Sequence, residues 1–121
     1  MFNREMIMPR WAIFKLEILL VKAENHTPAE KNIRVTRTGD LAAGFPTEVS
    51  AKISPDWVEG PSPLFVGDTL YVYFDCYRKR RYGAVCSHDR GKTWTDASKE
   101  VSFPKDIRHG AAFAVEKTFV V

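Results

Sequence analysis

The chain has only two cysteines, and their positions exclude the commonest structural uses of a cysteine pair. Cys76 and Cys86 lack the short paired spacings of a zinc site. They flank a basic turn, and a hairpin reversing near residue 79 sets Cys76 opposite Tyr82 and Cys86 opposite Val72. The sulfurs then lie about four residues apart along the ladder, roughly 13 Å. A disulfide needs Cα atoms within about 7 Å, so free thiols are expected. Long apolar runs are also missing. The fullest stretch, Trp11 to Val21, is broken by Lys15 and Glu17, which makes it too short and too charged to span a membrane. Arg4 and Arg10 precede it as in a secretory leader, but no A-x-A-like cleavage site follows, and a buried element is expected instead. As it stands the chain reads as cytoplasmic, with no firm compartment signal. Charge of one sign is scarce too: the formal net charge is +3. The densest basic run, Arg78 to Arg81, is joined by no basic stripe or stacking platform, so neither nucleic acid nor membrane is an expected partner. That run reads as a solvated hairpin tip, with a phosphate or anionic-sugar contact as the alternative.

What is present is a set of short strands. At 121 residues the chain holds one domain at most. Leu70 to Phe74 is aromatic and β-branched, Tyr82 to Cys86 follows it, and Ile33 to Arg37 alternates apolar and polar residues. His109 to Val115 alternates small and apolar residues and reads as a further strand. Gly60-Pro61, Gly67-Asp68 and Pro104 punctuate them. Trp11 to Ala23 is ambiguous: a strand followed by a loop is the first reading. A helix is its rival, since Trp11, Phe14, Ile18 and Val21 fall at helical spacing among good helix formers.

The sequence repeats itself. Thr38, Asp40 and Phe45 match Ser87, Asp89 and Trp94, each offset by 49 residues. Ile33 to Arg37 aligns with Tyr82 to Cys86, and Trp11 to Phe14 is matched to Leu70 to Tyr73 with a longer connection in the first copy. The second copy reads S-x-D-x-G-x-T-W over Ser87, Asp89, Gly91, Thr93 and Trp94. Asp89 is suited to accept backbone N–H groups across a tight turn. Gly91 permits a positive φ, and Trp94 is suited to plug the space between sheets. This pattern resembles the Asp-box of carbohydrate-handling β-propellers. A period near 50 residues fits one four-stranded blade. The expected fold is therefore all-β, with antiparallel four-stranded blades of an incomplete propeller of about two blades. Residues 1–55 would form a partial blade with a degenerate Asp-box, 56–107 a complete blade, and 108–121 the first strand of a next one.

Trp57 to Phe65 carries the triplet Glu59-Gly60-Pro61, and an aromatic strand follows it. Together they resemble the acid-bearing blade of five-bladed glycoside hydrolases of the arabinanase and β-xylosidase type, family 43 and its relatives. By that resemblance Glu59 is the general acid that opens an innermost strand. A carboxyl at a propeller's axial mouth is expected to be desolvated, with a raised pKa. His109, 50 residues after Glu59, would open the next innermost strand as an axial ligand or orienting group, a structural role being equally open. Arg108 is a candidate contact for substrate hydroxyls or a carboxylate, and Trp57 a sugar-stacking platform or a core residue. No cofactor is required by the resemblance, although the complete propeller has room for an axial calcium or water.

Inverting hydrolysis also needs a second carboxylate as general base. The resemblance places that base, and a further Asp that tunes the acid, on blades for which no motif is found here. Asp68 reads as a turn residue, Asp75 as a strand end and Asp89 as part of the Asp-box. The leading expectation is a fragment of a glycoside hydrolase that is not competent alone, acting on an oligosaccharide or glycoside in the complete enzyme. The alternative is a non-catalytic carbohydrate-binding or interaction module, with self-association through open blade edges. A sialidase-like fragment ranks third, because Arg108 alone does not make an arginine cluster.

Overall fold

The computed structural model describes residues 27–40 and 42–117 in full and the backbone of 15–23. Trp11 to Phe14, His26 and residues 118–121 lie outside the described residues. Among the described residues, six strands form two antiparallel sheets. Strands β1 (Lys15–Ala23) and β2 (Glu30–Thr38) make a two-stranded sheet. Strands β3 (Glu59–Val66), β4 (Thr69–Cys76), β5 (Arg81–Ser87) and β6 (Thr95–Asp96) follow one another in a four-stranded meander. The ambiguous Trp11 to Ala23 stretch is thus a strand where it is described, against the helical preference of its residues. Pairing with β2 over its whole length overrides that preference.

Period-two alternation sorts the side chains of β4. Val72 and Phe74 point to one face, where they meet Ile33 of β2, Val58, Cys76 and Val85 in a buried cluster that joins the two sheets. Tyr71 and Tyr73 point to the other face, beside Ala84, Cys86 and Ala97. The two tyrosine rings stack at 6.0 Å, and Phe103 meets Tyr73 edge-on at 5.9 Å. Gly83 pairs with Phe74 across β4 and β5. A Cβ at Gly83 would come 2.7 Å from Phe74 Cε2 and 3.2 Å from Cys76 Sγ. The ring cannot retreat from the core, so Gly83→Ala is expected to destabilise the fold by about 1–3 kcal/mol. Urea denaturation would check this, and an unchanged midpoint would mean the strands have room to part.

Two of the matched positions fall at strand ends. Strands β2 and β5 end at Thr38 and Ser87. Their partners there are Lys15 and Leu70, while the match of Trp11 to Phe14 with Leu70 to Tyr73 lies outside the described residues. The cysteine register is shifted by one residue. Cys76 pairs with Arg81 and Cys86 with Tyr71, because the turn uses a 3-10 segment, Tyr77–Lys79, closed by Arg80 in the left-handed region. Both thiols are free and buried. His109 to Val115 is not a strand. Glycine and alanines dominate it, which favour the pleated state weakly. Phe113 is 74 % exposed, and the bond from Ala112 N–H to Ser62 Oγ at 2.8 Å helps tie the segment to β3.

A non-strand segment, residues 50–58, runs along the outer side of β2. Ser50 and Ile53 donate N–H groups to the carbonyls of Val35 and Ile33, and Trp57 donates to that of Lys31. The hydroxyls of Ser50 and Ser54 accept the N–H groups of Val35 and Ile33 in return. Strand β3 contains Pro61 and Pro63 and a register irregularity between Glu59 and Ser62.

The loop from Ser87 to Trp94 is closed by its own side chains. Asp89 Oδ1 accepts the N–H groups of Lys92 at 3.1 Å and Thr93 at 2.8 Å, and Asp89 Oδ2 accepts the Thr93 hydroxyl at 2.5 Å. Ser87 Oγ accepts the Gly91 N–H at 2.7 Å and donates to Asp89 Oδ1 at 2.8 Å. Gly91 has φ +80° there. Trp94 packs on the cluster between the sheets and donates its indole N–H to the Gly91 carbonyl. The first copy keeps a reduced set: Thr38 Oγ1 bonds with Asp40, whose carboxylate accepts the Ala42 N–H at 2.9 Å.

Candidate functional site

Three of the sequence-selected residues converge at the end of the four-stranded sheet opposite that loop. Glu59 opens β3 directly across from Asp75 near the end of β4. Residues 108–110 pass over this end. Lys31, near the start of β2, reaches in from the other sheet. Its Nζ lies 2.5 Å from Glu59 Oε2, while Arg108 Nη2 and His109 Nε2 lie 3.2 and 3.3 Å from Glu59 Oε1. Arg108 Nε also binds Asp75 Oδ2 at 2.6 Å.

This geometry reverses the electrostatics expected of Glu59. The Lys31 hydrogen bond holds the carboxyl below its ordinary value, and it outweighs the desolvation that would raise it. His109 and Arg108 add to the same direction by charge. Glu59 is therefore an ionised acceptor in this arrangement. Asp75 is fully buried, and its Oδ1 has no hydrogen-bond partner among the described residues.

Trp57 stands beside the cluster with φ +66°, its N–H bonded to the Lys31 carbonyl. The Arg78 guanidinium lies 3.3 Å from the centre of its ring. One ring face is thus already taken by a cation. Lys31 Nζ sits 4.7 Å from the Tyr77 ring centre. Ser87, Asp89, Gly91, Thr93 and Trp94 are at the far end of β5 and take no part in the cluster. His88, also there, bonds Thr69 Oγ1 at 3.0 Å.

Glu59, Asp75 and His109 offer ligand atoms within 4.8 Å of one another. The set does not fit calcium. That ion takes six to eight oxygen ligands, and here Lys31 and Arg108 already bind the carboxylates. A dication would share the site with two fixed positive charges.

Lys31 and Asp75 escaped the sequence reading. The signal for Asp75 is a lone carboxylate in the apolar run Tyr71-Val72-Tyr73-Phe74-Asp75-Cys76. Lys31 offers no such signal, since a lysine near a strand start is ordinary. Comparisons with family models, curated proteins and solved structures give no match to this chain.

Proposed function

We propose that the two sheets are successive blades of a β-propeller of glycoside-hydrolase lineage, with Ser87 to Trp94 as its Asp-box. In this chain the Glu59 cluster binds a saccharide without cleaving it. The observation that carries this reading is the ring of nitrogen groups around Glu59, two of them the cations Lys31 and Arg108: these and His109 all lie within 3.3 Å of its oxygens. An ionised carboxylate accepts hydrogen bonds from sugar hydroxyls but has no proton to give a leaving group. Asp75 does not supply the missing base. Inverting pairs stand about 6.5–9.5 Å apart to admit a water, whereas Asp75 lies closer, buried and bound to Arg108.

The hydrolase reading keeps one supporting observation, the position of Glu59 at the opening of β3. It requires the Lys31 contact to be given up. Lys31→Met is therefore expected to move the Glu59 titration upward, toward its ordinary value, as followed by carboxyl-carbon NMR. The folded pKa is depressed, so Glu59 contributes stability above its unfolded value and loses it as pH falls through the folded one. Lys31→Met shrinks that acid-side loss.

Amide NMR of the chain titrated with neutral and charged oligosaccharides tests the function. Shifts centred on Gly60 and Gly110, with no new reducing ends, are expected. Turnover of an aryl glycoside that vanishes in Glu59→Gln overturns the non-catalytic reading. Absence of shifts with every saccharide overturns binding itself.

A further inference from the structure

The geometry points to a saccharide bearing carboxylate or sulfate groups as the ligand of this end of the molecule, an inference that rests on the saccharide-binding reading above. Arg108 is its centre. Asp75 fixes Nε and Glu59 fixes Nη2, so the guanidinium plane is held from behind by two carboxylates. Its side chain is nevertheless 54 % exposed, and Nη1 meets no acceptor among the described residues. A buttressed planar fork with free N–H groups matches an oxyanion far better than it matches a lone hydroxyl. His109 beside it is exposed and bonds Glu59 through Nε2.

A second basic feature lies on the same end. A cavity of about 170 Å³ is walled by Trp57, Arg78, Lys79 and Arg81, with Asp56 as its acidic member. Arg78 is folded onto the Trp57 ring, which holds its guanidinium in place. Lys31 links the two features: its ammonium binds Glu59, and its carbonyl accepts the Trp57 N–H. A neutral sugar would satisfy hydroxyl contacts at Glu59 and leave both basic features without a role. A chain of charged sugars engages one oxyanion at Arg108 and another in the Trp57 cavity. The Arg78 to Arg81 run is then part of a receptor surface and more than a solvated tip.

Calorimetric titration of the full chain at low salt tests this with four probes: tetragalacturonate, a heparin-derived tetrasaccharide, neutral arabinotetraose and, as a non-saccharide polyanion, polyglutamate. At least one anionic probe is expected to bind roughly tenfold or more tightly than the neutral one, as fits a charge-assisted hydrogen bond. Preference for tetragalacturonate identifies the group as a uronate carboxylate, and preference for the heparin fragment identifies a sulfate ester. Arg108→Gln should remove most of that advantage. Arg78→Gln should reduce it, and its exposed site keeps the test valid should Arg108→Gln fail to fold by circular dichroism. Lys92→Gln, in the loop at the far end, should leave affinity unchanged. Equal or tighter binding of arabinotetraose overturns the anionic assignment while the saccharide reading stands. Equal binding of polyglutamate shows that charge alone is read, and overturns the assignment as well. Binding of none of the saccharides overturns both readings together.

Discussion

Phe74→Ala is expected to cost about 3–5 kcal/mol, the ordinary range for emptying a buried aromatic site. Phe74 is 1 % exposed and belongs to a cluster that draws residues from both sheets. Its neighbours Val58, Val72 and Val85 are β-branched or held on paired strands, and collapse into the vacated space is limited. A domain of this size has about 5–15 kcal/mol in total, so the substitution removes a large share. The damage should be directional. Ile33 on β2 loses a large member of its cluster, while the ladder between β4 and β5 stays paired. Hydrogen exchange should therefore accelerate in Glu30–Thr38 more than in Arg81–Ser87. A loss below about 1 kcal/mol, or uniform acceleration, would show that the two sheets do not depend on this contact.

Asp89→Ala is expected to open the Ser87–Trp94 loop and to remove an acid-side component of stability. The Asp89 carboxylate is held far below the usual carboxylate range, first by the Thr93 hydroxyl, then by the Thr93 N–H and the Ser87 hydroxyl. Because the folded value is depressed, the stabilisation is complete above the unfolded aspartate pKa of about 3.9. It falls away as pH drops below that point toward the folded value. Thermal unfolding of the parent chain should therefore weaken between about pH 4 and pH 2. Asp89→Asn should flatten that slope and lower the melting temperature at neutral pH. Trp94 reports the local effect. Its indole N–H bond to Gly91 depends on the loop's shape, and fluorescence should shift toward that of an exposed indole in Asp89→Ala. An unchanged acid slope in Asp89→Asn would mean that the loop's hydrogen bonds persist when the acid is neutral.

The features that were legible in the sequence were those written in local chemistry. Period-two alternation located β2, and aromatic and β-branched content located β4. The Ser87 to Trp94 spacing located a loop closed by one carboxylate and one glycine. Glu59 was placed at the opening of β3, where it lies. Features that depended on the path of the chain were less visible. The one-residue error at Cys76 and Cys86 came from a turn that uses Arg80 in the left-handed region, which no arginine advertises. Asp75 read as a strand end because burial against Arg108, 33 residues away, is not a local property. The direction of the Glu59 shift was missed for the same reason. Desolvation could be guessed from a strand opening, whereas Lys31 arrives from another sheet. His109 to Val115 alternates correctly for a strand, yet alternation without a neighbouring ladder leaves its apolar residues in water.

The rims of the sheets bear on polymerisation in a crowded solution. An open strand is a template for a stranger's strand, and aggregation begins there. Among the described residues, β3, β6 and β2 are each blunted as templates. The prolines of β3 remove two donors, and its irregular stretch spoils the register a newcomer would need. Strand β6 is two residues long, too short to nucleate an added strand. Along β2 the serine hydroxyls occupy donors that an amyloid-like partner would seek. Replacing Ser50 and Ser54 with valine would keep the outline of the rim while stripping away its plugs, turning a quiet border into an adhesive one.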